Sequence, residues 1–302
     1  MNLNIHIGKL KLKNPVVCAS GTFGFDENLK GIVNFNKIGA ITTKTVTLKP
    51  RQGNPPPRIF ETSCGVINSV GLDNPGIEAF IKVNIPRLAK LNTKFIVSIG
   101  GFSKSDYTRA VEKLDKIKTL EAFEINLSCP NLKMKKMISQ NPQATYRLIK
   151  AIRGLTQKTI IAKLTPEVTD IVSVAKAAKD AGADGLSLIN TFYAMAIDVC
   201  SRRPYLGNIY GGYSGKAIKP LGIYRVWRVA KSVKNIPIIA GGGIQGPVCA
   251  LEYILAGASA VSLGTVNMVY PNTSQSVVEG IIKYLNRHKI KDINELRGSL
   301  KC

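Results

Sequence analysis

Eight times along the chain, a short run of β-branched and apolar residues gives way to a turn and then to an amphipathic stretch. The runs are Pro15–Ala19, Ile38–Thr43, Phe95–Ile99, Ala122–Leu127, Ile160–Leu164, Gly185–Ile189, Pro237–Ala240 and Ala260–Leu263. Such runs, apolar throughout rather than alternating, are the pattern of strands covered on both faces, as in a parallel sheet. Between them lie helical stretches at Asp106–Ile117, Pro142–Gly154, Asp170–Ala181, Ile223–Ser232 and Pro247–Ala256. In the third of these, Asp170 is placed to cap the start and Gly182 to take the left-handed stop. Eight strand–helix units predict an α/β fold, a TIM (β/α)8 barrel. A doubly wound open sheet is the alternative, weakened because no G-x-G-x-x-G follows the first run.

At 302 residues, the chain fits one such domain over 1–302, since barrels of this class run to this length undivided. Leu3–Ile7 and Leu10–Lys13 predict an N-terminal β-hairpin able to plug the barrel's bottom. Two long insertions interrupt the rhythm, Leu48–Asn74 after strand two and Phe192–Pro220 after strand six. Loops this long in a compact domain are usually functional, and both leave the C-terminal face, where barrels of this kind carry their sites.

Only His6 and His288 exist, which argues against histidine zinc sites and Ser-His-Asp triads. The six cysteines never form C-x-x-C, so cysteine-ligated zinc or iron–sulfur spacing is missing. The first fifteen residues lack an apolar core like that of a signal peptide, and no run approaches a membrane span. The expectation is a cytoplasmic protein with reduced thiols.

Polar groups gather at strand ends: Lys44 and Thr45 after strand two, Asn126 to Asn131 after strand four, Lys163 on strand five, Asn190 and Thr191 on strand six. A strand-end lysine alone is most often a snorkelling surface residue. Two of them beside asparagines on neighbouring strands point to an anionic ligand. Cys129 sits among these polar groups, and Pro130 biases it to an extended exit. With no histidine at hand, this thiol is the best base on the chain. Cys18, Cys64, Cys200, Cys249 and Cys302 are read as structural thiols. Gly241-Gly242-Gly243 follows strand seven and Gly264-Thr265 follows strand eight, the two loops where this fold binds phosphate. Phosphate there, with polar groups on strands two, four, five and six, suggests a flat phosphorylated cofactor across the mouth. FMN suits that shape.

These phrases resemble the class 1 dihydroorotate dehydrogenases. The resemblance runs from about Leu3 to the last strand. It is carried by Ala19-Ser-Gly-Thr-Phe-Gly24, Thr43-Lys-Thr45 with Pro50–Arg58, Asn68–Gly76, Asn126–Asn131 and Met195-Ala-Ile-Asp198. The last phrase and Arg202-Arg203-Pro204 are most like the 1B subgroup. There the chain is the catalytic subunit, and a second subunit with FAD and an iron–sulfur cluster passes electrons to NAD. The resemblance implies oxidation of dihydroorotate to orotate in de novo pyrimidine biosynthesis. Cys129 would take the C5 proton while hydride leaves C6 for FMN. It implies substrate contacts at Lys44, Asn68, Ser69, Val70, Gly71, Leu72, Asn126, Asn190 and Thr191. It implies flavin contacts at Ser20, Lys44, Thr45, Asn126, Lys163, Ile189, Gly215, Gly242, Gly243, Gly264 and Thr265. No metal ligand is expected, and the expected assembly is a homodimer or a heterotetramer.

Two departures from the subgroup stand out. Leu132-Lys-Met-Lys-Lys-Met137 replaces a Gly-Gly lid segment, which should stiffen or recharge that loop. Lys216 stands where the subgroup carries proline beside the flavin-contact glycine. Lysine and arginine total 42 against 19 acids, a net charge of +23, which invites a nucleic-acid reading. The densest run, Lys133 to Lys136, holds only three cations, and aromatics are 7%, so a solvated basic surface is favoured over a nucleic-acid partner. The alternatives are a fumarate-dependent 1A-like enzyme and a non-catalytic basic flavin-binding barrel.

Overall fold

The computed structural model describes every residue except 24–32, 129, 132–135 and 302, and for 130, 131 and 136 it describes the backbone alone. Eight parallel strands close into a barrel: β1 (Val16–Cys18), β2 (Ala40–Thr42), β3 (Lys94–Ile99), β4 (Ala122–Asn126), β5 (Thr159–Lys163), β6 (Gly185–Leu188), β7 (Ile238–Gly241) and β8 (Ala260–Leu263). Each pairs with its neighbours in chain order, and β8 closes on β1. The sequence-predicted strands agree with these to within two residues at any end. Their residues are almost wholly buried, as expected when helices cover the outside and side chains fill the inside.

The helices that cover the barrel obey their local signals. Ser103 caps the helix Lys104–Asp115 with a reciprocal box to Asp106. Asn141 and Asp170 cap Pro142–Arg153 and Ile171–Asp180. The next helix starts at Lys219 rather than Ile223 and runs to Ser232, Pro220 being tolerated in its first turn. Pro247–Leu255 follows β7. Two of the longer helical stretches among the described residues lie beyond the sequence reading. Residues 76–88 form one with a π turn in its middle, and Thr273–Arg287 closes the barrel wall after β8.

The N-terminal hairpin, Ile5–Ile7 paired with Leu10–Leu12, buries all four of its inward apolar side chains. The backbone amides of Lys9 and Leu10 donate to Thr159 Oγ1 at the start of β5. A Cβ added to Gly185, at the start of β6, would meet Ile7 Cγ2 at 2.6 Å. The hairpin therefore plugs the end of the barrel opposite the strand C-termini.

At the other end, the two insertions are not separate loops. Strands Ile59–Thr62, Gly65–Asn68, Gly211–Ser214 and Phe192–Ala194 form one four-stranded antiparallel sheet in that order, with Asn68 opposite Gly212 and Tyr213 opposite Phe192. Phe60 stacks on Tyr205 at 4.3 Å and ties the outer loop of the second insertion to the first. This sheet walls one side of the mouth.

Candidate active site

Strand alternation sets the site. In β4, Glu124 and Asn126 are two residues apart and so share one face, and both are buried. Lys163 ends the adjacent β5, paired in register with Asn126. From these strand ends a continuous chain of polar contacts crosses the mouth. Ser20 Oγ lies 3.3 Å from Thr45 Oγ1, which lies 2.9 Å from Ser98 Oγ. Ser98 Oγ donates to Glu124 Oε1 at 3.1 Å, and Lys163 Nζ donates to the same oxygen at 3.5 Å. Asn126 Nδ2 donates to Thr45 Oγ1 at 3.4 Å and accepts, through Oδ1, from Asn190 Nδ2 at 3.3 Å. Six of the residues singled out from sequence (Ser20, Thr45, Asn126, Lys163, Asn190 and, through its amide on Asn190 Oδ1, Thr191) thus belong to one network.

Sequence reasoning missed Ser98 and Glu124, which join that network from below. The signal was present: a lone carboxylate inside the apolar run Ala122-Phe-Glu-Ile-Asn126, two positions before the asparagine. A charge buried on a barrel strand must find a partner.

The glycine loops converge nearby. Gly215 adopts φ +119, and a Cβ there would lie 2.4 Å from Gly65 Cα, so the two insertions touch at bare backbone. Gly243 adopts φ +72, and its Cβ would lie 2.8 Å from Gly215 O and from Lys219 N. Ile189 flanks Gly242, whose added Cβ would meet its Cγ1 at 3.4 Å. Tyr253 donates its buried hydroxyl to Gly242 O at 2.7 Å and fixes the loop from beneath, and burial pushes that phenol well above its usual range. Thr265 Oγ1 donates to Ser214 Oγ at 2.8 Å and pins the second insertion to the loop after β8. Among the described residues, a Cβ on Gly264 would meet only Ala19 Cβ, at 3.7 Å. Backbone from β7, β8 and the second insertion therefore forms a cradle of the kind that takes a phosphate.

The stretch Asn68 to Leu72 lines the mouth from the first insertion. Asn68 Nδ2 donates to Gly212 O at 3.1 Å, and a Cβ on Gly212 would lie 2.1 Å from Thr191 Oγ1. Asn68 and Thr191 therefore meet on either side of one glycine. Asn54 stitches the next residues: its amide N–H donates to Val70 O at 3.1 Å and its Nδ2 to Ser69 Oγ at 3.0 Å. Gly71 and Leu72 both have positive φ, +74 and +57. For leucine this is an uncommon conformation of the kind found where a loop is held for function. Lys44 is turned to this insertion, with Nζ 3.9 Å from Asp73 Oδ2, the same oxygen that Arg58 Nη1 contacts at 3.2 Å.

Cys129 lies outside the described residues, as do residues 132–135 of the lysine-rich segment and Gly24 of the first motif. Ser128, next to Cys129, donates its amide to Asn126 Oδ1 at 3.2 Å, and its buried hydroxyl has no partner among the described residues. The backbone of Pro130–Asn131 pairs antiparallel with that of Lys136–Met137. Lys216 is exposed in a single 3-10 turn, Lys216–Ile218, and leaves Gly215 its positive φ. Cys18 is buried against Ser274 with its thiol pushed up to about 12, while Cys64, Cys200 and Cys249 are free. Among the described residues no cluster of metal-ligating side chains forms.

The sequence profile of the family described as dihydroorotate dehydrogenase matches residues 2–287. The protein named dihydroorotate dehydrogenase B (NAD(+)), catalytic subunit, of Thermoanaerobacter pseudethanolicus is 48% identical over 302 residues, covering 100% of this chain and 99% of that protein. The protein of the same name from Geobacter metallireducens is 48% identical over 301 residues, 99% of this chain and 98% of that protein. The one from Caldicellulosiruptor bescii is 46% identical over 301 residues, 99% of each.

Proposed function

The chain belongs to the dihydroorotate dehydrogenase family, and from that premise we propose that it is a type B catalytic subunit that oxidises dihydroorotate to orotate with FMN, Cys129 acting as the base. The observation that carries the reading is the meeting, on one barrel mouth, of the Asn126–Asn190 carboxamide pair and Lys163 with the cradle of Gly215, Gly243 and Gly264. The first group suits a small anionic heterocycle, the second a phosphate.

When bound, the flavin supplies the two-electron acceptor that the substrate's C6 hydride requires. The rest falls to the chain. Asn68, Asn126, Asn190 and Thr191 would offer the amide and hydroxyl groups that orient the substrate ring, and Lys44 would face its carboxylate. Ser69, Val70, Gly71 and Leu72, held by Asn54, would close the ring's other edge. Cys129 removes the C5 proton, a role supported by its place in the Asn126–Asn131 run and by the chain's having only two histidines, His6 and His288. Gly242, Gly243, Gly264 and Thr265, with Gly215, would hold the phosphate, while Ser20, Thr45, Lys163 and Ile189 would hold the flavin ring.

The chain has no cluster-ligand spacing of its own, and its relatives are named as catalytic subunits of an NAD(+) enzyme. Both facts support an electron-transfer partner carrying FAD and an iron–sulfur cluster. The proposal keeps the cytoplasmic location expected from sequence, and among the described residues no helix is long and apolar enough to cross a membrane. The test is spectroscopic. Purified protein should be yellow with stoichiometric FMN, and anaerobic dihydroorotate should bleach it. Reoxidation by NAD should require a second, co-purifying subunit. Colourless protein that takes up no flavin, or flavin that dihydroorotate does not bleach, would refute the reading.

A further inference from the structure

We propose that Glu124 is a positioning residue for the flavin site: it fixes the Lys163 ammonium and cancels much of its charge, so that the flavin meets a buried ion pair rather than a bare cation. This inference rests on the flavin site proposed above. Glu124 is 4% exposed and lies one step further down β4 than Asn126. Its Oε1 accepts from Lys163 Nζ at 3.5 Å and from Ser98 Oγ at 3.1 Å. The ion pair is nearly dry, with the two side chains 14% and 5% exposed. Ser98 in turn meets Thr45 Oγ1, which receives Asn126 Nδ2. One carboxylate oxygen therefore braces a cation on β5, a hydroxyl on β3 and, through them, the hydroxyl beyond β2 and the carboxamide on β4.

Two consequences follow from elementary electrostatics. At low local dielectric, a negative charge this close to Lys163 offsets much of the field the ammonium projects into the mouth. A flavin that gains electrons there is therefore harder to reduce than beside an unpaired lysine. And because both hydrogen bonds end on the same oxygen, Glu124→Gln removes the charge while the amide oxygen can still accept both. Shape and charge are separable in this pair.

The experiment is a spectroscopic redox titration of the FMN-loaded protein, alongside thermal unfolding. Glu124→Gln is expected to retain FMN and to shift the flavin potential upward by the equivalent of about tenfold in the reduction equilibrium, about 30 mV for a two-electron couple. Lys163→Gln is expected to shift it downward. A Glu124 that merely stapled the strands would lower the melting temperature and leave the potential in place, which would overturn the inference while the flavin site stands. If Lys163→Gln alters neither FMN affinity nor potential, the flavin reading of Lys163 falls and this inference with it. Should Glu124→Gln fail to fold, the comparison moves to Lys163→Gln against Lys163→Gln/Glu124→Gln. The double variant must then lie at the higher potential, and equal values would overturn the role of Glu124.

Discussion

Asn190 Nδ2 donates to Asn126 Oδ1 at 3.3 Å, although Asn190 follows β6 and Asn126 ends β4, strands separated in the barrel by β5. Two carboxamides that share no ladder thus reach across the mouth to one another, each leaving further polar capacity for a ligand. Asn190→Ala removes one donor and leaves Asn126 Oδ1 with the Ser128 amide alone. With a hydrogen bond in such a site worth roughly 1 kcal/mol or somewhat more, we predict a fall of about tenfold in kcat/KM, with FMN content unchanged. Steady-state kinetics with dihydroorotate checks it, and an unaltered kcat/KM would remove Asn190 from the substrate site.

Cys129→Ala is predicted to keep bound FMN and to lose most of the rate at which dihydroorotate bleaches it, by roughly the 10²–10⁴-fold that a positioned general base contributes. Stopped-flow reduction under anaerobic conditions separates this from any effect on the partner's electron transfer. Bleaching at near wild-type rate would show that another group takes the C5 proton.

The barrel was legible because buried parallel strands announce themselves as β-branched runs, and because the turns at Gly182 and Gly257 mark where helices stop. The strand-end residues were legible for the same reason: knowing where β4 ends fixes Asn126 at the mouth. What the sequence hid is non-local. The pairing of Asn68 with Gly212 joins segments 144 residues apart, and nothing in either segment names the other. Glu124 was hidden by its setting, since an apolar run absorbs one charged residue without losing its pattern. Residues 76–88 escaped because Gly76 and Pro86 interrupt the helical composition, while the chain accommodates Pro86 by starting a new helical segment, Ile85–Leu88, with the proline in its first turn.

Cys18 supplies a pH dependence. Burial raises its thiol from 9.0 to about 12. In the folded protein it stays neutral well into the alkaline range, whereas unfolded it ionises above its ordinary value. Its contribution to stability is therefore complete below pH 9 and is lost as pH climbs from about 9 toward 12, by at most about 1.4 kcal/mol for each pH unit. Cys18→Ala should flatten the alkaline limb of the stability curve measured by urea unfolding at pH 8 to 10.5. An alkaline limb identical to that of the wild type would assign the loss to other groups.

Two glycines of the cradle differ in a way that separates folding from cofactor binding. Gly243 combines a left-handed φ of +72 with contacts at 2.8 Å that leave no room for a methyl group. Gly243→Ala must either strain the backbone or push the loop off Gly215, a cost of order 1–3 kcal/mol. Its melting temperature should fall even without cofactor. Gly264 has no positive φ, and among the described residues a methyl there would meet only Ala19 Cβ, at an ordinary 3.7 Å. Gly264→Ala should therefore fold and melt like the wild-type apoprotein. If its backbone approaches a phosphate, however, the added methyl projects into the space the phosphate needs. FMN affinity, read from quenching of flavin fluorescence, should then fall by tenfold or more, roughly 1.4 kcal/mol or above. A Gly264→Ala protein that binds FMN at full strength would place the phosphate elsewhere on the mouth, and one that melts early would show that the space beside β8 is already filled by the chain itself.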